Sequence, residues 1–393
     1  MKSSRFRTGA WLRGKAVLSA LAAAALAVGL SVFGAAGTAQ AATSAQWQLV
    51  YRGHAASLYD VTAISKTNAW AVGVTGSGSS QRPQFMHWDG KSWSVYNIPN
   101  ITKFSPTSVK ATAPNNVWAF GYNDGAIADN PYALIYHGSN EVTTLKLPEG
   151  WQVGDEAVLS PTSVWGVTNS EQECSIAGSS RCTLLWHWNG TRWSSVAVPG
   201  DVESVTAVGG HVFFLALTDM KFNSAGLGIG RPVIYEPTTK VYTLPGPNLQ
   251  ITDQAAGLAV ELNGQRYLVG RLTTGGQPLR FFYWNGKAWT TMSVPGNVCP
   301  PGYSGDCPLV LNPSVTYDGG HGFWAGWSAH WTGAQWVNAD YFGPSLLDNT
   351  AEAIRAVAPV PGTASTWGVG AISSGNVPFS SGNTMVAVYG SLP

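Results

Sequence analysis

The stretch HWDGKSW, residues 87 to 93, places one His, two Trp and an Asp-Gly pair in seven positions. It returns as HWNGTRW (187 to 193), YWNGKAW (283 to 289) and HWTGAQW (330 to 336), each time followed by a short apolar run. Such a segment could be a ligand site or a tight hairpin. Its recurrence favours the hairpin, because a feature repeated along a chain is architecture before it is chemistry. Asp-Gly and Asn-Gly are preferred two-residue type I′ turns, whose central residues both need positive φ. With Asp89-Gly90 as the turn, Trp88 is expected to pair with Lys91, His87 with Ser92, and Met86 with Trp93. The later copies then set Trp186 against Trp193 and Phe282 against Trp289. Period-two alternation gathers these large side chains on one sheet face, where neighbouring sheets pack.

Around the hairpin lies a longer unit. The segment NAWAVG (68 to 73) recurs as NNVWAFG, TSVWGVT, GHVFFLA, QRYLVG, HGFWAGW and ASTWGVG, which makes seven units. Trp70 and Trp367 bound six periods of 49.5 residues each. A period of this length signals a repeat architecture. Each unit carries four short apolar or alternating runs separated by turn signals, and the chain after residue 41 shows no long helical period. In the first unit the strands are expected around Val61 to Ser65, Ala69 to Gly73, Phe85 to Trp88 and Ser92 to Ile98. The fold class is therefore all-β: a seven-bladed propeller of four-stranded antiparallel blades. The last unit stops after a third strand, while AQWQLVY (45 to 51) precedes the first unit as an orphan. Joining the two closes the ring and removes an exposed sheet edge.

The first 41 residues read as a Sec-type secretory signal. Lys2, Arg5, Arg7, Arg13 and Lys15 precede an apolar core from Ala16 to about Phe33, and Ala39-Gln40-Ala41 supplies the small-x-small cleavage pattern. The domain reading is signal 1–41 and one propeller, 42–393. Without the leader, 17 Lys and Arg face 21 Asp and Glu. That balance recommends neither nucleic acid nor an anionic membrane as partner. The tail MVAVYGSLP carries no hydrophobic anchor, so a soluble, extracellular monomer is expected. Charged residues are 11% of the chain, against about 25% in ordinary soluble proteins. With 46 Gly and 18 Trp this suits a turn-rich β protein outside the cell. Cys174 and Cys182, and likewise Cys299 and Cys307, are separated by seven residues and favour two local disulfides over a zinc site.

The unit length and the WAVG strand with a later Trp resemble kelch-type and galactose-oxidase-type propellers, without the kelch Gly-Gly doublet. DGKSW resembles the Asp box of bacterial sialidases, with Asp89 one position late. The sialidase likeness implies three arginines and a Tyr/Glu pair. Arg82 and Arg231 occur in QRP and GRP, but the nine Glu show no partner Tyr, and the four cysteines leave none for a copper-site crosslink. His87, His187 and His330 occupy equivalent positions, which on a ring point apart and do not converge on one metal. No metal or other cofactor is expected, and no catalytic residue is assigned.

What varies between units is the loop joining the second and third strands. Long variable loops on a rigid scaffold are where binding usually resides. Arg82, Tyr122, Asp124, Phe222, Arg231 and Arg271 are the candidate ligand contacts. The expected function is non-catalytic recognition of an extracellular protein or glycan; the alternative is a glycan-active enzyme of the sialidase or glycoside-hydrolase type.

Overall fold

The computed structural model describes residues 46–53, 56–76, 80–98, 101, 103–123, 131–172, 182–222, 228–237, 240–243, 251–252, 258–260, 266–270, 280–284, 289–293, 315–318, 322–325, 329–339, 350–374 and 383–393. All belong to one compact unit, Ser44–Pro393. The secretory leader and both expected disulfides fall outside the described residues, since Cys174, Cys299, Cys307 and the side chain of Cys182 are not among them.

The described strands pair into antiparallel sheets with four strands in the order a-b-c-d, one sheet carrying a fifth. Blade 1 comprises Ala56–Ser65, Asn68–Thr75, Arg82–Trp88 and Trp93–Val95. Blade 2 comprises Phe104–Ala113, Asn116–Asn123, Pro131–Tyr136 and Val142–Lys146, and blade 3 Trp151–Ser160, Ser163–Gln172, Cys182–Trp188 and Trp193–Pro199. Blade 4 is built from Asp201–Val208, His211–Phe222, Gly228–Glu236 and Lys240–Thr243, with a fifth short strand, Ile251–Thr252, added to its third. Blade 5 holds Leu258–Val260, Arg266–Gly270, Arg280–Trp284 and Trp289–Ser293; blade 6 holds Val315–Tyr317, Phe323–Ala325, Ala329–Trp331 and Trp336–Asn338. Blade 7 takes strands a to c from Thr350–Pro359, Thr366–Ser374 and Asn383–Tyr389. Its strand d is the N-terminal Trp47–Arg52, paired from Trp47↔Tyr389 to Arg52↔Met385. Each a strand adjoins those of the blades before and after it, and blade 7 adjoins blade 1. These four-stranded antiparallel blades in cyclic order are a β-propeller.

The opening hairpin forms with a register different from the expected one. Trp88 faces Trp93 and Met86 faces Val95, so residues 89–92 make a four-residue loop. The cause is the Asp89 side chain, whose Oδ1 accepts the backbone N–H of Lys91 (2.8 Å) and of Ser92 (2.9 Å), an Asx turn that needs the longer loop. Trp188 likewise faces Trp193 and Trp284 faces Trp289, which corrects the pairings expected for Trp186 and Phe282. A shift of two residues keeps every side chain on its original face. The aromatic gathering therefore survives the correction.

That gathering forms the seams. Trp88 and Trp93 of blade 1 pack on Trp367 of blade 7, with ring centroids 4.9 and 5.2 Å away. Trp47 and Tyr389 of blade 7 pack in the same way on Trp324 of blade 6, at 5.4 and 4.8 Å. Trp188 and Trp193 of blade 3 join the cluster of Trp118 in blade 2, and Tyr136 of blade 2 lies 5.0 Å from Trp70 of blade 1. One rule thus serves several seams: the aromatic pair on strands c and d of one blade covers the strand-b Trp of the blade before it. These rings carry much of the buried apolar area.

Strand a is bulged. The register slips between Leu58 and Asp60, Pro106 and Ser108, Val202 and Ser204, and Ile354 and Ala356, at matching places in blades 1, 2, 4 and 7. A glycine marks the spot across the sheet: Gly73 faces Leu58, Gly121 faces Pro106 and Gly370 faces Ile354. A Cβ on Gly73 would sit 1.9 Å from the Ser57 carbonyl oxygen, and one on Gly121 2.2 Å from that of Ser105. The WAVG and WAFG motifs end in glycine because the bulge brings strand a too close for any side chain.

Candidate functional site

The two ends of the blades differ. At the end carrying the a-b and c-d turns, side chains close the turns in a repeated manner. Asn189 Oδ1 accepts from Thr191 N and Arg192 N (both 3.0 Å), as Asp89 does in blade 1, and Thr332 Oγ1 accepts from Gln335 N (3.3 Å) in blade 6. The a-b turns follow suit, with Ser65 Oγ accepting from Thr67 N and Ser160 Oγ from Thr162 N, each at 3.2 Å. The amides of Ser92 and Lys91 hold the Asp89 carboxyl below its ordinary pKa. Hydrogen bonds of this kind commit the polar groups of the turns to structure.

The equivalent histidines belong to this structural end. His87, His187 and His330 sit on strand c directly opposite the strand-b Trp of their own blade and lie against it, with centroids 4.4, 4.2 and 4.4 Å apart. Burial lowers the pKa of His87, against a smaller opposing effect of Asp89, and burial also lowers that of His187. His187 Nε2 meets Ser163 Oγ at 3.2 Å and His330 Nε2 meets Asp318 Oδ2 at 2.9 Å. In blade 4 a glutamate takes the position: Glu236, buried, is 2.7 Å from His211 Nδ1. Among the described residues no group of three or more metal-ligating side chains converges.

At the opposite end, where b-c and d-a connections lie, regularity is lost. Strands b and c of blade 4 run on past the ordinary blade length, pairing Lys221 with Ile229 and Phe222 with Gly228, and Ile251–Thr252 adds to the outer side of strand c. The connection between the second and third strands, expected to be a loop, is thus taken up in blade 4 by strand as far as Phe222 and again from Gly228. Arg82 and Arg231 stand at the same position of strand c in blades 1 and 4, opposite Thr75 and Thr218, and both are exposed. Tyr122 is half-buried near the end of strand b in blade 2, opposite Pro131. These candidates were expected on loops; Arg82 and Tyr122 are found at strand ends and Arg231 inside strand c of blade 4. Phe222 ends strand b of blade 4, its side chain outside the described residues, as are Asp124 and Arg271 altogether. Arg82, Tyr122 and Arg231 thus share one end of the propeller but belong to three blades.

A second surface had no expectation attached to it. In blade 1, Leu58 and Val61 pack with Trp367 and Val369 of blade 7. Asp60 turns the other way: its Oδ2 accepts from Val109 N (2.9 Å) and Lys110 Nζ (2.8 Å) on strand a of blade 2. Ser204 repeats this contact in blade 4, accepting from Leu258 N of blade 5 at 3.1 Å. Residues on either side of the bulge thereby hold both neighbouring blades. The extra residue of each bulge, Tyr59, Thr107, Glu203 or Arg355, is half-buried and belongs to neither set. In blades 1, 2 and 7 the sequence signal that could have located these residues is the glycine facing the bulge, whereas in blade 4 Ala216 stands there.

No family model matches the chain, and no curated protein is significantly similar to it. Among solved structures it is similar to YCF48 from Cyanidioschyzon merolae, at 12% identity over 88% of this chain and 98% of that one, with a TM-score of 0.45. It is also similar to Sqt1 from Chaetomium thermophilum, at 12% identity over 87% and 89% of the two chains and a TM-score of 0.45. A third is the fungal lectin of Aleuria aurantia, described as a six-bladed β-propeller, at 11% identity over 63% and 81% and a TM-score of 0.39. The propeller assignment rests on this chain's own strand pairing.

Proposed function

We propose that this protein is a secreted, non-catalytic recognition module that binds an extracellular glycan or protein at the end of the propeller carrying the b-c and d-a connections. The observation that supports this reading is the inequality of the two ends. One end closes its turns with the same side-chain hydrogen bonds in blades 1, 3 and 6, while the other departs from the repeat at the three-stranded ribbon of blade 4. An extended, irregular segment on one rim of a rigid scaffold is the pattern expected when that rim meets a partner. Arg82 and Arg231 provide charge and bidentate hydrogen-bonding capacity there.

The test is binding to an array of glycans and purified extracellular proteins by the wild type and by R82A/R231A. Retention of a defined ligand by the wild type, weakened at least tenfold in the double variant with an unchanged melting curve, is the expected result. Equal retention by both proteins would remove the rim from the reading.

A further inference from the structure

We infer that the seam between blades 1 and 2 carries a buried binding site for one hydroxyl-bearing molecule, water or a short alcohol, held by Asn68, Trp70 and His87. The inference comes from comparing the same positions in three blades. In blade 2, Trp118 Nε1 donates to Asn116 Oδ1 at 2.8 Å, and strand c places Ile135 opposite the Trp. In blade 3, Ser163 stands two residues before the strand-b Trp, and its Oγ is 3.2 Å from Nε2 of the strand-c His187. The residue at this position is therefore within reach of both the Trp and the His. Blade 1 has all three groups: Asn68, Trp70 and, opposite the Trp, His87. It closes neither bond. Asn68 Oδ1, Trp70 Nε1 and His87 Nε2 are all buried without a hydrogen-bond partner, and Trp70 is only 2% exposed. Buried polar atoms without partners are costly, and a group bridging them is the physical resolution.

The three atoms select the ligand. Trp70 Nε1 only donates, Asn68 Oδ1 only accepts, and His87 Nε2 takes either role according to tautomer. A hydroxyl oxygen accepts from Trp70 while its hydrogen goes to Asn68; His87 donates to the oxygen or accepts the second hydrogen of water. An ammonium group offers Trp70 no acceptor and a carboxylate offers Asn68 no donor. Burial, which lowers the pKa of His87, keeps the imidazole neutral and able to adapt. The seam also has room beside Trp70. Where blade 1 sets Trp88 against Trp93, blade 2 sets Tyr136 against Val142, so the pair covering Trp70 is smaller than the one covering Trp367. Trp70, Tyr136 and Val142 line an apolar cavity of about 10 Å³, the space of one water or one methyl group. A water satisfies the polar atoms alone, whereas a short alcohol satisfies them and fills the cavity with its alkyl end.

The experiment is NMR on the full chain, read at the indole N–H of Trp70, whose resonance is identified by its loss in Trp70→Phe. A cross-peak to a long-lived water is expected. Methanol and ethanol are then titrated, with acetonitrile, which has no hydroxyl, as the control. Replacement of the water cross-peak by one to the alcohol's alkyl protons identifies an alcohol site, and its persistence a water site; both support the inference. His87→Ile copies blade 2 and is expected to let Trp70 donate directly to Asn68, with loss of the cross-peak. If that variant does not fold, Asn68→Ala removes the acceptor and is expected to show the same loss. The R82A/R231A protein should keep the cross-peak, so failure of the rim reading leaves this one standing. Absence of any water or alcohol cross-peak at Trp70, displacement of the water by acetonitrile, or an unchanged cross-peak in the folded variant would overturn it.

Discussion

At Gly73 a sequence motif becomes a distance. Its Cβ-free backbone lets the Ser57 carbonyl approach to where a methyl would stand 1.9 Å away, so Gly73→Ala is expected to lower stability by about 2 to 3 kcal/mol, measured by chemical denaturation. A loss below about 0.5 kcal/mol would mean that the bulge is not held. The histidines give a prediction with a sign. Burial depresses the pKa of His87 and His187, so the unfolded chain takes up protons first as pH falls through its ordinary value of about 6.5. The unfolded state then binds more protons, and stability declines from pH 7 towards pH 5. His87→Phe with His187→Phe retains the stacked ring and should flatten that slope in melting curves; an unchanged slope assigns it to other groups. At this scale the sequence was partly legible. The repeated Trp, His and Gly positions were visible in one chain, but Tyr59, Glu203 and Arg355 were not, because a bulge is a property of pairing and leaves its mark on the opposite strand.

Among the elements, the c-d hairpin illustrates what turn chemistry adds to pattern. Asp-Gly signals a hairpin, yet the loop closes on four residues because the Asp89 carboxylate accepts two backbone N–H groups. Asp89→Ala should therefore destabilise blade 1 in denaturant titrations, and Asp89→Asn should restore most of the loss, since Asn189 performs the same task in blade 3. The contact between inner strands is stronger. Asp60 joins blade 1 to blade 2 through a backbone amide and an ammonium group, and Asp60→Ala is expected to cost about 2 kcal/mol in denaturant titrations. Strand existence was readable from alternation and turn signals. The ribbon of blade 4 was not, because Gly, Asn and Ser between residues 218 and 232 mimic a loop.

The molecule as a whole is a ring whose ends meet in one blade. Residues 46–52 complete blade 7, where Trp47 is buried against Trp324 and Tyr389. Their removal should lower the melting temperature by roughly 5 to 10 °C, from the loss of one large buried side chain and a full strand of pairing. The propeller was legible from seven copies of a 49.5-residue unit, but its working surface was less so, since binding residues on a ring are dispersed over blades and carry no contiguous motif. The central claim, recognition without turnover at the irregular rim, meets its most direct test on a glycan array read on the same spots for retained protein and for released product. The account predicts retention without release, lost in R82A/R231A. Release of product from any spot would contradict it and return the chain to the glycan-active enzymes.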